Sequence, residues 1–344
     1  MDDVRVWSYL VSVGAVVASA SCALPDEGQL YTATFFSMDT VVEYTVSGTG
    51  RTRARSAVAD AQEEVERVAQ LFWEGDESSE IYRINHSTGE FLVDVEVYSL
   101  LERTRAYEGI TNGAFDVTLG GVLDLYSFEP GSVPPPDSVI QARLRHKAPS
   151  FAVLADSGRI SRAPDSQSML AVSGVAKGYA VDRAVAVLVR AGVTAGVVNA
   201  GGDLYCLGRR SDGPWRVGIR DPDDAEGIAL VLHIEDAAVA TSGDYQRYFD
   251  YDGIRYHHIL DPRSGMPARR ARSATVVASS TEYADALATA AFVSGAEAGI
   301  RLLDGLEGVE GMIIDSVGVV HESARFGRFV ADPPPSNRDY EVRS

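Results

Sequence analysis

Cysteine is nearly missing: 344 residues contain only Cys22 and Cys206. With Cys22 lipidated or cleaved away no internal disulfide can form, so the core alone must hold the fold. Basic residues are also scarce, 31 Lys and Arg against 49 Asp and Glu, for a formal net charge of −18. That balance excludes nucleic acid as a partner, because a phosphate backbone needs a basic surface. An anionic substrate would need a cation or a locally basic site to offset the repulsion. Several chemistries lack their signatures as well. There is no His-x-x-x-His pair and no cysteine pair for zinc, and no Gly-x-Ser-x-Gly nucleophile elbow.

What the chain does have is an N-terminal apolar run from Val6 to Ala20, ending in small residues just before Cys22 and followed by polar Asp26-Glu27-Gly28. It is short for a spanning helix and reads as an export signal over residues 1–21, similar to a bacterial lipoprotein signal with Cys22 as the lipidated residue.

The most informative segment lies far downstream. Glu282-Tyr-Ala-Asp-Ala-Leu-Ala-Thr-Ala-Ala-Phe292 is an alanine-rich helix that places Asp285 and Thr289 four residues apart. Positions i and i+4 share a helix face, so a carboxylate and a hydroxyl converge among methyl groups. Burial penalises such a carboxylate unless it is paired or binds a cation, and two oxygens of this kind suit a hard ion such as Mg²⁺. The same pair could equally serve structure, with Asp285 bonding to a backbone amide and Thr289 back-bonding to its helix.

Around that segment the pattern alternates. Strands are expected at Leu30–Phe36 and Val41–Val46, helices at Ser56–Phe72, Val97–Thr111 and Ser138–His146, and a hairpin around Asp156-Ser-Gly158. A helix follows at Lys177–Ala191, then sheet strands at 197–203, 215–219, 228–234 and 237–241. Two further helices and a strand pair near Met312–Val320 complete a domain expected over residues 28–330. The Pro-rich, polar residues 331–344 read as a disordered tail.

Three clusters bear on chemistry. Ser173-Gly-Val-Ala-Lys-Gly178 puts glycines and Lys177 at a strand-to-helix junction, where amides and the helix dipole can receive phosphate oxygens. Its spacing is not that of a Walker loop, and Lys177 could also be an ordinary exposed helix lysine. Asn199-Ala-Gly-Gly-Asp203 ends a strand in two glycines, suited to close ligand approach or to a simple turn. His257-His-Ile-Leu-Asp-Pro-Arg-Ser-Gly265 offers two adjacent histidines. Neighbours on a strand face opposite ways, so one is a candidate proton carrier and the other is structural.

Met38-Asp-Thr40, Ala114-Phe-Asp116, Gly174 to Asp182, Asn199 to Asp203, Thr241-Ser-Gly-Asp244, His258 to Gly265 and Ala284 to Thr289 together resemble the ApbE family of exported bacterial flavin transferases. The resemblance implies an α+β fold, a single T-fold-related domain of two α/β lobes with the flavin site in the cleft between them. It implies a Mg²⁺-dependent enzyme that cleaves the pyrophosphate of FAD and transfers FMN, as a phosphoester, to a threonine of a partner protein. That acceptor would be an electron-transport subunit carrying a Thr-containing flavinylation motif. The enzyme would work on the periplasmic side of the inner membrane, lipid-anchored through Cys22. By the same resemblance, Asp285, Thr289 and the carbonyl of Gly174 would hold the metal. Met38, Ala114, Phe115, Asp116, Lys177 and Ile259 would line the FAD site, and His258 would be catalytic.

Two positions depart from the family pattern. Ala171 stands where the family has Asp, which implies one carboxylate fewer at the site, and Asp39 replaces a more frequent Gly. Between Phe72 and Asn85 the family often carries an aromatic that stacks on the flavin, with Trp73 and Tyr82 available here. Alternative readings from the residues are an FAD pyrophosphatase releasing FMN and AMP, or a non-catalytic flavin-binding lipoprotein.

Overall fold

The structure, a computed structural model, describes residues 30–145, 151–164, 168–224, 226–331 and 342–343. The chain opens with β1 (Tyr31–Ser37) and β2 (Thr40–Ser47), joined by a two-residue turn in which Met38 (φ 52°) and Asp39 (φ 59°) are both left-handed. Two-residue hairpins favour this mirror-image turn because its twist matches the strands, normally with Asn-Gly at the centre. Next come α1 (Arg51–Phe72), α2 (Glu80–Asn85), β3 (Gly89–Leu92), α3 (Val95–Ile110), α4 (Gly120–Leu123) and α5 (Asp137–Arg145). The hairpin of β4 (Phe151–Leu154) and β5 (Arg159–Arg162) leads to α6 (Ser173–Arg190).

Beyond α6 lie β6 (Ala195–Ala200), β7 (Asp203–Leu207), β8 (Trp215–Arg220), β9 (Ile228–Ile234), β10 (Ala237–Gly243), β11 (Tyr248–Tyr251), β12 (Ile254–His257) and β13 (Ala271–Ala278). The chain continues through α7 (Thr281–Ser294), α8 (Ala296–Asp304), β14 (Glu310–Asp315), β15 (Val320–Glu322) and β16 (Val342–Arg343). Nine strands form the main sheet in the order β1-β2-β6-β7-β10-β13-β14-β15-β16, antiparallel except for the β15–β16 pair.

Strand alternation sorts this sheet's side chains into two cores. Ala238 and Ala240 of β10 and Val276 and Ala278 of β13 join α1, α6 and α7 in the larger core, whereas Val239 and Val277 join the opposite one. There they meet Trp215, Val217 and Ile219 of β8 and Leu232 and Ile234 of β9. The result is three layers: helices, the main sheet, and the β8–β9 hairpin.

The alanine richness of α7 follows from its place. It is buried on nearly every side, from Ala284 to Val293, between α6 and the sheet, and small side chains let a helix lie that close to its neighbours. The tightest approach is at Gly178 of α6, where an added Cβ would stand 2.4 Å from the carbonyl oxygen of Thr281. Only glycine fits there.

The α+β fold expected from the sequence is present, with local differences. The helix expected from Lys177 begins four residues earlier, at Ser173, so Gly174 sits within its first turn and not in a preceding loop. The β11–β12 hairpin and β13 were not foreseen. Of the tail expected to be disordered, Val342–Arg343 pairs with β15 and Ala331 is tied by its amide to Val231. The export signal and Cys22 lie outside the described residues. Among the described residues no helix is long and apolar enough to cross a membrane.

Candidate active site

At one end of the main sheet, α6, α7 and the β6–β7 turn bring three charges together. Lys177 reaches from α6 to Asp203 at the start of β7 and lies 3.7 Å from Asp285 Oδ2 on α7. The Asp203 and Asp285 side chains are only 4% and 5% exposed, and that of Lys177 27%. Lys177 is therefore not the exposed helix lysine that its sequence also allowed. Burial works against its charge, but the two carboxylates outweigh burial and raise its pKa.

Asp285 is pushed well above the usual carboxylate range, first by burial and then by the charge of Asp203; Lys177 and the Gly178 amide pull it back. The Gly178 N–H donates to Asp285 Oδ2 at 3.3 Å. With both carboxylates ionised, as a bound cation would favour, two carboxylates and one ammonium leave the cluster one negative charge in excess.

One turn further along α7, the Thr289 hydroxyl lies 3.2 Å from the Ser242 hydroxyl of β10. A Cβ added at Gly174 would stand 3.8 Å from Thr289 Oγ1 and 3.6 Å from Phe115 Cε2, so the first turn of α6 faces both residues. Asp285, Thr289 and Ser242 are hard oxygen donors, and the Gly174 backbone runs beside Thr289. With the uncompensated charge, this donor set fits a small divalent cation such as Mg²⁺. Among the described residues no group of three or more His, Cys, Asp or Glu could hold a metal ion, so any such site would also draw on hydroxyl and backbone oxygens.

The flavin-site candidates take varied positions. The Met38-Asp39 turn adjoins the Gly201-Gly202 turn between β6 and β7: the Gly201 amide donates to Val41 at 3.1 Å, and a Cβ at Gly201 would meet Thr40 Oγ1 at 2.3 Å. Met38 thus stands at the same end of the sheet as Asp203. Ala114 and Phe115 are buried, Phe115 against Tyr107 with ring centroids 6.3 Å apart. Asp116 accepts from the amide and hydroxyl of Thr118 at 2.8 and 2.6 Å, which shapes the turn that follows. Ile259 packs into the larger core, and its amide and carbonyl are engaged by His257 and Ala268.

The histidine pair divides at the end of β12, with His257 its last residue and His258 just beyond it. His257 is buried, its Nε2 2.7 Å from the Ala268 carbonyl and its ring edge-on to Phe292, and burial lowers its pKa to about 4. His258, just past β12, is half-buried beside Phe128, with Nδ1 3.4 Å from the Arg247 carbonyl. Burial lowers its pKa to about 3, and the charges of His257, Arg247 and Lys177 add to the effect. Of the two loop aromatics, Tyr82 stacks on His86 at 3.9 Å, whereas Trp73 is 62% exposed.

The sequence placed Asp203 and Ser242 inside motifs without a role of their own, and did not single out Glu74. Glu74 Oε1 accepts the Val172 amide at 2.7 Å, at the very start of α6. The junction amides expected to receive phosphate are therefore partly occupied by a carboxylate from the chain itself.

The profile of the ApbE family matches residues 38–313. The chain belongs to the ApbE family. The FAD:protein FMN transferase of Rhodobacter capsulatus is 32% identical over 83% of the chain and 56% of its own length. That of Vibrio cholerae is 30% identical over 86% of the chain and 90% of its own length, and that of Treponema pallidum 34% identical over 65% and 66%. The chain thus spans little more than half of the Rhodobacter protein. Among solved ApbE structures, that from Thermotoga maritima superposes with a TM-score of 0.81 at 32% identity, covering 88% of this chain and all of that one. The Vibrio cholerae flavin transferase gives 0.73 at 27% identity, with 88% and 100% covered.

Proposed function

We propose that this ApbE-family chain is a Mg²⁺-dependent FAD:protein FMN transferase. It cleaves the FAD pyrophosphate and attaches FMN through a phosphoester to a threonine of a membrane-associated redox protein. We further propose that it works on the periplasmic side of the inner membrane, held by a lipid on Cys22. The observation that carries the reading is the buried Lys177–Asp203–Asp285 cluster beside Thr289 and Gly174, which with both carboxylates ionised is one negative charge in excess. It supplies both a cation-binding set and a fixed ammonium on an otherwise acidic protein, which is what a dianionic substrate needs.

Asp285, Thr289 and the Gly174 carbonyl would hold the metal. When bound, Mg²⁺ neutralises charge developing on the pyrophosphate oxygens and orients the bond that breaks. Lys177, fixed by Asp203, places a permanent positive charge at the same anion. Met38 gives apolar surface for the flavin, with buried Phe115 packed behind the first turn of α6.

His258 is unprotonated at neutral pH and can take the proton from the attacking threonine hydroxyl. The pyrophosphate anion beside it raises its basicity from the low value of the free site. The threonine oxygen then bonds to the FMN phosphorus as the bond to the AMP oxygen breaks, and AMP leaves.

The test is incubation with FAD, Mg²⁺ and an acceptor bearing the threonine motif, followed by denaturing electrophoresis. A fluorescent acceptor band supports transfer. No band with an acceptor that a related transferase does flavinylate would reject it, and rapid AMP release without acceptor would mark the protein as a pyrophosphatase.

A further inference from the structure

Helix α6 carries Gly174 and Lys177 within its first turns, yet its N-cap residue is Val172, whose side chain makes no capping bond. Valine has no acceptor, so the first amides of the helix need one from elsewhere. It comes from Glu74, 98 residues away in the chain, whose Oε1 accepts the Val172 amide at 2.7 Å. Burial raises the pKa of this carboxylate, and the nearby backbone amides, that of Val172 first, oppose the rise.

The loop that delivers Glu74 is itself tied down. Ser79 Oγ donates to the Trp73 carbonyl at 2.6 Å, and the Asp76 and Ser79 amides close turns at 3.3 and 2.9 Å. The same chain region grips the preceding residue too. Asn85 accepts the Leu170 amide at 2.7 Å and donates to the Leu170 carbonyl at 3.0 Å, while Ala171 donates to Val117 at 2.7 Å. The entry into α6 is thus clamped on three successive residues, and only Glu74 touches the helix end.

We propose that Glu74 is a positioning residue of the transfer site: its carboxylate caps α6 from outside, sets the first turn that presents Gly174 and Lys177, and keeps substrate phosphate off the Val172 amide. An anion at this end also suits the helix dipole. The role rests on the function proposed above. It predicts that the carboxylate can be moved, because an aspartate at position 171, two residues before Ser173, can accept the Ser173 amide in an Asx turn.

The experiment compares the wild-type protein with Glu74→Gln, Glu74→Ala and Glu74→Ala/Ala171→Asp. Hydrogen exchange of a peptide spanning residues 171–178 is followed without metal, and kcat and KM for FAD are measured with Mg²⁺. Glu74→Ala should exchange roughly tenfold faster at the helix start and lose at least roughly tenfold in kcat/KM. Glu74→Gln keeps an acceptor oxygen and should stay within about threefold of wild type, and the relocated aspartate should recover most of the loss.

Unchanged exchange in Glu74→Ala overturns the capping role. Faster exchange with turnover within twofold of wild type overturns the positioning role, as does a double variant no better than Glu74→Ala. A wild-type protein that does not cleave FAD rejects the reaction itself, and the exchange comparison still decides the cap.

Discussion

The amide of Gly178 on α6 donates to the carboxylate of Asp285 on α7 at 3.3 Å, across a helix crossing too close for any side chain at position 178. One glycine thus sets both the distance between the helices and a hydrogen bond to the candidate metal ligand. Gly178→Ala must push α7 away from α6. Overpacking of this kind costs about 1 to 3 kcal/mol. The melting temperature should fall by several degrees and FAD cleavage by more than roughly tenfold; a variant as stable and active as wild type would reject the crossing as described.

Removing the carboxylate is a sharper test of the cation. Asp285→Ala should abolish Mg²⁺-dependent cleavage, a loss on the order of 10² to 10³, and should eliminate the heat of Mg²⁺ binding in calorimetry with FAD present. Thr289→Val, which keeps shape and loses the hydroxyl, should cost roughly 10- to 100-fold. Chelation should stop the wild-type reaction, with Mg²⁺ restoring it. Normal turnover by Asp285→Ala would refute the assignment.

His258 makes a prediction about pH. Its pKa, lowered to about 3, leaves the imidazole unprotonated from weakly acid conditions upward. For a general base the active form is the neutral one, so the acid limb of kcat/KM, which reports the free enzyme, should lie well below the ordinary histidine value near 6.5. His258→Ala should lose transfer to the acceptor while FAD binding, followed by fluorescence quenching, changes less than about threefold. A limb near 6.5 that survives in His258→Ala would assign the base elsewhere.

His257 bears on stability instead. Its folded pKa, about 4, lies below its ordinary value of 6.5, so the unfolded chain binds the proton more readily. The contribution is present in full above pH ~6.5 and is lost as pH falls toward about 4, with an upper bound of about 3 kcal/mol. Thermal melts from pH 7 to 4 should show this loss, and His257→Gln should flatten it. Parallel pH profiles for the two proteins would refute the buried neutral imidazole.

Local patterning made much of this legible. Helical periodicity put Asp285 and Thr289 on one face, and His257 and His258 differ in environment as expected, although only His257 lies in a strand. The partners of those residues were another matter. Asp203 meets Lys177, Ser242 meets Thr289 and Glu74 meets Val172 only because distant segments are laid side by side by the sheet and the helix layer. No local period encodes such pairings.

The missed β11–β12 hairpin did carry a signal. Asp252-Gly253 is flanked by Tyr-Phe-Asp-Tyr and Ile-Arg-Tyr-His, with φ of 50° and 73° at the turn, and Asp-Gly between such runs is a strong hairpin mark. For β13, the arginines at 269, 270 and 272 interrupt the apolar pattern at its start. The missing carboxylate at position 171 looked like a loss from sequence alone, whereas Glu74 brings an acid to the Val172 amide next to it.

The left-handed turn at Met38-Asp39 has a consequence for engineering. Left-handed backbone costs roughly 1 to 2 kcal/mol at each non-glycine residue, and Asn-Gly would form the same turn with less strain. A consensus redesign that optimised every turn would rewrite this corner early. Under the proposed function it would yield a hardier protein with a blank edge where the thioether now meets the flavin.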